Sequence, residues 1–426
     1  MKDTIPRYLS WLETQEQRIT VALCVFVIMA GAFYSFALGD ALPYIDARDY
    51  YALARNLATQ HSFSTDGEHP TAWRAPGYPF FLSLLIRLGA DIPFLRFLNF
   101  VALAASIYML RTLVGSLVSP FAGLVAAVLV LGYPVLFYAA GTLFSLTIGS
   151  LLFVCILFLL TKAQAGPVRA FLPIGVLFGC LILTMPAFLY ALALVLGWVL
   201  LVRREAKLKS ALALALPAVA LISLWTVRNY LVFHSFVLVT TNLGSPLLMG
   251  NSEYTTIGRW NVDGYLELAA PTAGLNEVER EAYFMTKAIE FITEDKVRAL
   301  KLYGAKFVQY FHFRNTLYAQ SESTPLKDLL MLVTWGPLLV IFFIRLLLLR
   351  RFHPSNFELL LIVLYFGSAF FYALFLPRIR YRLPFDFLLL TVVAMFIGNL
   401  VNSWFKREAL DVTSPRQPRL AHEVNV

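Results

Sequence analysis

Charge is scarce in this chain: 14% of its 426 residues are Asp, Glu, Lys or Arg, against 59% apolar. A soluble domain of this length needs a more polar surface, and a mean hydropathy of +0.70 excludes one. Cysteine is nearly missing. Cys24, Cys155 and Cys180 all fall inside apolar runs, where a thiol is a small hydrophobe, so neither a disulfide framework nor a Cys/His metal site is legible. Histidine is equally thin: His61, His69, His234 and His312 are scattered, with no HExxH or paired-acid spacing. No Walker loop, no G-x-G-x-x-G opening a helix and no G-x-S-x-G occurs, which leaves nucleotide-driven transport and serine hydrolysis without support. No cofactor and no metal ligand set is expected, with a divalent metal left open.

What is present is apolar sequence in runs of about 20 residues, the length that crosses about 30 Å of hydrocarbon. Barrel strands would instead alternate over about 10 residues. The chain therefore reads as all-α, a polytopic transmembrane bundle of about ten spans: Ile19 to Leu38, Ile92 to Leu113, Phe121 to Ala140, Leu143 to Leu160, Phe171 to Leu189, Ala191 to Val202, Ser210 to Val227, Leu329 to Leu349, Phe357 to Phe375 and Phe385 to Trp404. Pro186 leaves the fifth and sixth open to being one kinked element. The run after Arg18 is too long for a cleaved signal, so it reads as a retained anchor.

The net charge of +9 does not point to nucleic acid, because most Lys and Arg sit in short loops on one side. With the N-terminus cytoplasmic, Arg111, Lys162, Arg169, Arg203, Arg204, Lys207, Lys209, Arg345, Arg350, Arg351, Lys406 and Arg407 all fall inside, and so does the C-terminus. Arg48, Arg55, Arg74, Arg228, Arg259, Arg378, Arg380 and Arg382 are left outside. Basic residues against that bias suit an anionic ligand at the outer face.

Two outer segments carry the polar sequence, residues 39–91 and 229–327. In the first, Asp46 to Gln60 reads as an interfacial helix with Tyr50, Leu53, Ala54 and Leu57 on one face. In the second, a turn-rich stretch reaching Gly250-Asn251-Ser252 precedes an amphipathic helix pair, with stripes Ala282, Met285, Ile289, Ile292 and Val297, Leu300, Gly304, Phe307, Phe311. Asn276 with Glu279 forms a cap for the first helix of the pair. Residues 1–404 read as one membrane module, and residues 405–426 as a disordered cytoplasmic tail.

Asp46 and Asp49 are three apart, neighbours on a helix face. A carboxylate beside arginines stays ionised and can take a proton from an attacking hydroxyl; a helix cap and a surface ion pair would use the same two acids. Arg74, in a Pro-rich turn, and Arg228, at the end of a span, suit either a phosphate or membrane anchoring. Arg378-Ile-Arg380-Tyr-Arg382 is the densest cation cluster, fit for a phosphate at headgroup depth or for anionic lipid. The first outer loop, the segment after Asn229 and the Arg378 to Arg382 turn are expected to bound one cavity open to the outer side. Spans with almost no ionisable residue argue against a transporter.

Asp46-Ala-x-x-Tyr50, Ala54-x-Asn56-Leu57, Phe63-Ser64 and Arg74-x-Pro76-Gly77-Tyr78-Pro79 resemble the first outer loop of the GT-C superfamily, particularly glycosyltransferase family 39, which includes protein O-mannosyltransferases and the lipid A aminoarabinose transferase. In the same order follow Trp225-x-x-Arg228-Asn229, Gly244-x-x-Leu247-x-x-Gly250-Asn251, Asn276-Glu277 and Arg380-Tyr381-Arg382-x-Pro384. The resemblance spans Ile19 to Asn402. It implies inverting transfer of a sugar from a polyprenyl-phosphate donor to a lipid, glycan or protein acceptor at the periplasmic face of a bacterial inner membrane. Asp46, with Asp49 in support, would be catalytic; Arg380 and Arg382, with Arg74 and Arg228 as further partners, would hold the donor phosphate; Tyr50, Tyr78, Asn251 and Tyr381 belong to the same motifs as possible substrate contacts.

Two positions depart from that pattern: Ser145 stands where many relatives carry Glu, and Met185 replaces Arg in a Thr-Arg-Pro motif. A lipid-linked intermediate flippase and a non-catalytic membrane scaffold are the rival readings.

Overall fold

A computed structural model describes residues 4–256, 261–314 and 324–413, and within them the ordered elements are helices, with no β-strand. Arg259 lies outside the described residues. The helices are α1 (Thr4–Leu38), α2 (Ile45–Gln60), α3 (Gly77–Arg87), α4 (Ile92–Leu117), α5 (Pro120–Leu131), α6 (Pro134–Ala140), α7 (Leu146–Ala163), α8 (Phe171–Thr184), α9 (Leu189–Val202), α10 (Lys207–Phe233), α11 (Gly244–Asn251), α12 (Val262–Ala269), α13 (Glu277–Glu294), α14 (Lys296–Tyr310), α15 (Pro325–Leu347), α16 (Asn356–Ala373) and α17 (Ile379–Thr413). α17 thus continues into the segment read as a tail, and residues 414–426 lie outside the described residues.

Local sequence explains where the helices begin. Asp91 before Ile92-Pro93, Ser119 before Pro120, Thr324 before Pro325 and Ser355 before Asn356 each accept a backbone N–H of the first turn, with proline tolerated where no donor is needed. Asn276 and Glu279 form a reciprocal capping box on α13, as the sequence led us to expect.

Among the described residues seven helices are long and apolar enough to cross a membrane: the apolar part of α1, then α4, α7, α10, α15, α16 and α17. α5 and α6 make an eighth if counted as one span, bent by 63°. The expectation of about ten is not met by that measure, because α8 and α9 have only 14 residues each, roughly 21 Å at 1.5 Å per residue. Pro186 does not kink one long element; the chain turns back at Met185, extended, and a single 3₁₀ turn, Pro186–Phe188.

Contacts at the helix ends fix the up-and-down order. At one end Glu16 of α1 pairs with Arg111 of α4, Arg203 after α9 donates to the carbonyls of Ala163 (3.0 Å) and Gly166 (2.8 Å), and Arg345 of α15 pairs with Glu358 of α16 at 2.6 Å. At the other end Arg96 donates to Gly39 (2.8 Å) and Ala41 (2.6 Å), closing α1 against α4. α8 and α10 approach closely: a Cβ on Gly175 would lie 2.2 Å from the Leu214 carbonyl.

The helix pair of the second outer segment is present, but its buried ridge differs from the apolar stripe read in sequence. α13 buries Phe284 and Ala288, and α14 buries Leu302, Lys306 and Tyr310, while Val297 and Leu300 are exposed. Periodicity identified the helices; the fold buries a face that includes a lysine.

Candidate active site

Above the α8–α9 hairpin, at the end holding both outer segments, lies a cavity of about 240 Å³. Its walls come from segments far apart in sequence: Asp46 and Tyr50 of α2, Trp73 and Arg74, Ser145, Thr184 and Met185, Thr240, Asn242 and Leu243, Phe371, Tyr372 and Phe375, and Arg380 and Tyr381. Gly77 makes one junction possible, since a Cβ there would meet Thr184 Oγ1 at 2.4 Å and the Leu183 backbone at 2.9 Å. The Pro-rich turn bearing Arg74 therefore rests directly on the end of α8.

Asp46 is the centre of the polar wall. Its Oδ1 accepts from Arg74 Nη2 at 2.6 Å and its Oδ2 from Arg380 Nη1 at 2.7 Å. Arg74 also donates to Asp49 Oδ2 at 2.8 Å, so Asp49 holds the arginine and is not itself on the cavity wall. Burial pushes the Asp46 carboxyl up, but Arg380 and Arg74 outweigh it and hold the group below the usual carboxylate range. Burial likewise opposes the charge on Arg74, and Asp46 and its neighbours more than compensate, so it stays a cation. Tyr50 is neutral, its phenol pushed up by burial, and its hydroxyl lies 3.3 Å from Ser145 Oγ.

The rest of the lining is largely apolar and aromatic: Phe144, Leu146, Met185, Phe371, Tyr372, Phe375 and Tyr381, with Tyr372 and Tyr381 stacked at 5.5 Å and the Arg380 guanidinium over the Phe144 and Tyr381 rings. Such a lining suits a charged group together with a hydrocarbon or sugar face. Ser145 and Met185, the two departures from the family pattern, both line this cavity. Neither carries charge, which leaves Asp46, Arg74 and Arg380 as its charged side chains among the described residues.

Besides Asp49, four expected site residues are placed off the cavity wall. Arg382 is in the bundle core with its side chain 1% exposed. It pairs with Asp386 at 3.1 Å, donates to the carbonyls of Tyr310 (2.8 Å) and His312 (3.1 Å), and lies 3.7 Å from the Trp335 ring. That correction follows from helix phase: residues two apart on α17 point to nearly opposite faces. Arg228 donates to the Thr71 carbonyl at 2.9 Å and packs on Trp225, tethering the first outer segment without lining the cavity. Tyr78 stands behind the wall, its hydroxyl on Asn99 and its ring edge-to-face with Tyr50. Asn251 donates to the carbonyls of Leu247 and Leu374 and accepts from Lys306, docking α11 on the end of α16.

Sequence reasoning missed Asp386, whose signal was an acid four residues after Arg382, the spacing of a helical ion pair. The spans are thus less empty of charge than they read. It also gave no role to Trp73, Thr240 or Asn242, which have no pattern of their own and reach the cavity only through the tertiary fold. Among the described residues no three His, Cys, Asp or Glu side chains gather into a metal site.

No protein-family model and no curated protein matches this sequence. Solved structures do resemble it. The archaeal oligosaccharyltransferase AglB from Archaeoglobus fulgidus, in complex with an inhibitory peptide and a dolichol-phosphate, is 12% identical with a TM-score of 0.51, over 93% of this chain and 52% of that one. The chain spans about half the length of that protein. ArnT from Cupriavidus metallidurans matches over 93% of this chain and 81% of its own, at 15% identity and a TM-score of 0.42 bound to undecaprenyl phosphate. In the apo state it matches at 13% and 0.39. With a TM-score above one half over nearly its whole length, the chain has the fold of the archaeal oligosaccharyltransferase.

Proposed function

We propose that this protein is a glycosyltransferase that moves a sugar from a polyprenyl-phosphate donor to an acceptor hydroxyl in the Asp46 cavity, at the periplasmic face of the membrane. The observation that carries this reading is one carboxylate held between two guanidiniums, Arg74 at 2.6 Å and Arg380 at 2.7 Å, in a cavity whose remaining lining is largely apolar and aromatic. A transfer from a lipid phosphate needs those three parts: a base for the acceptor proton, cations for the departing phosphate, and an apolar surface for a sugar face. The oligosaccharyltransferase of the same fold was solved with a dolichol-phosphate, which supports a lipid phosphate as the leaving group.

In the proposed reaction the acceptor oxygen attacks the anomeric carbon, its proton passes to Asp46, and the carbon–oxygen bond to the phosphate breaks with both electrons leaving on the phosphate. Because Arg380 is already bonded to Asp46, an incoming phosphate competes for that guanidinium. Weakening the Asp46–Arg380 contact returns basic lone pairs to the carboxylate as the leaving group is clasped, so donor binding and base activation are one event. Arg74, anchored by Asp49, keeps Asp46 in place meanwhile. Charge grows on the phosphate during bond breaking, so cations fixed there favour the transition state over the ground state. Purified protein incubated with polyprenyl-phosphate sugars and a panel of hydroxyl acceptors should release polyprenyl phosphate. No release with any member of the panel, from protein that binds undecaprenyl phosphate, would favour the flippase reading instead.

A further inference from the structure

The cavity's two outer walls belong to segments about 170 residues apart, and a single carboxylate joins them. Glu277, in the first turn of α13, accepts from Thr71 Oγ1 at 2.5 Å and from the Ala72 backbone N–H at 2.8 Å, and it also accepts from the hydroxyl of Thr241. The backbones meet at the same point, where the Thr241 N–H donates to the Ala72 carbonyl at 3.1 Å. One helical turn later Glu281 Oε1 accepts from the N–H groups of Leu243 (2.9 Å) and Gly244 (2.7 Å). Immediately beyond these contacts the chain enters the cavity: Trp73, Arg74 and Ala75 follow Thr71 and Ala72, while Thr240, Asn242 and Leu243 flank Thr241. Glu277 is not on the cavity wall.

We infer that Glu277 is a positioning residue, a clasp that sets the distance between the Arg74 wall and the Thr240–Leu243 wall and so the placement of the acceptor against Asp46. An acid in the first turn of a helix has a simpler use in complementing the helix dipole, but that use calls for no partner. Here one carboxylate takes three donors from two outer segments, and side-chain–backbone bonds of this kind are what hold a loop in one geometry. Hydrogen bonding explains the contact without charge, because a glutamine at 277 offers a carbonyl oxygen to Ala72 and Thr241 and an amide N–H to the Thr71 oxygen.

The inference rests on the transfer reading for its kinetic arm and on hydrogen exchange for its structural arm. In the purified protein, Glu277→Ala should speed exchange at the Ala72 and Thr241 amides and lower kcat/KM by about ten- to a hundredfold, the cost of misplacing reacting groups by about an ångström. Glu277→Gln should recover slow exchange and most of the activity. Exchange as slow in Glu277→Ala as in the native protein, or a Glu277→Gln variant as impaired as Glu277→Ala, would overturn the inference. If the native protein transfers no sugar, the transfer reading fails, while the exchange measurement still decides whether Glu277 joins the two segments.

Discussion

Arg380 and Arg382 stand two residues apart on α17 and inhabit different worlds. Arg380 faces the cavity with its side chain 31% exposed and shares Asp46 with Arg74. Arg382 is sealed among Asp386, Tyr133, Tyr365 and Trp335, and two of its N–H groups hold the carbonyls of Tyr310 and His312 at the end of α14. A cation wholly out of water needs its counter-ion and its acceptors built in, so it is committed before any ligand arrives. Arg380, on the cavity wall, bonds Asp46 and the Tyr381 hydroxyl, both at the cavity where a ligand can displace them. Charge in a membrane protein is therefore not by itself a mark of function; what separates the two arginines is whether a partner can be exchanged.

The largest effect should come from breaking the buried pair. Arg382→Ala or Asp386→Ala leaves a lone charge in the core, which costs about 3–5 kcal/mol, and should lower the Tm steeply or abolish recovery of folded protein. A denaturation scan in detergent would test this, and an unchanged Tm for either variant would mean that the two arginines are not different in kind.

On the cavity side, Asp46→Asn removes the basic lone pairs without changing size. Turnover should fall by about a hundredfold or more while the Tm stays near that of the native protein, the opposite pattern to Arg382. Arg380→Lys keeps the charge but loses the planar two-point grip on a phosphate; kcat should fall by about tenfold, more than donor affinity changes, because the interaction tightens as the phosphate leaves. Equal losses in Tm for the Arg380 and Arg382 variants would erase the contrast.

A third cation sharpens it. Lys306 is buried like Arg382, but among the described residues it pairs with no acid and bonds the Gly250 and Leu374 carbonyls and Asn251 Oδ1 at 2.9 to 3.3 Å. Burial, with Arg298 nearby, pushes its ammonium down to about 7. The unfolded chain then binds the extra proton between pH 7 and the ordinary lysine range, so this group's contribution raises stability as pH climbs through that window. Lys306→Met should remove that slope from a Tm series between pH 6 and 10, a smaller effect than any above.

How much of this was legible in the sequence follows from the same contrast. Helices and their caps are local, so α2, the α13–α14 pair and the Asn276–Glu279 box could be read from spacing alone. Asp46 and Arg74 could be singled out because acids and arginines crowd one short loop. The motif around Arg380 was legible as a cation cluster, but its two faces were not, since reading which arginine meets the cavity requires the phase of α17 against its neighbours. Arg228 was visible as a cation at the end of a span and Asn251 through the Gly250-Asn251 motif, and both brace the walls. Glu277 was invisible as a clasp because its partners, Thr71 and Thr241, are ordinary threonines until the fold brings them together.

The central claim is that the exchangeable arginine marks a lipid-phosphate site. Titrating undecaprenyl phosphate into native protein, Arg380→Ala and Arg382→Lys, each checked for folding by its Tm, tests it most directly. Loss of a hydrogen bond to a charged partner is worth about 1.5–3 kcal/mol, so the Arg380→Ala variant should bind about ten- to a hundredfold more weakly with an unshifted Tm, whereas folded Arg382→Lys should bind as the native protein does. Native affinity in Arg380→Ala, or weakened binding in folded Arg382→Lys alone, would contradict the account.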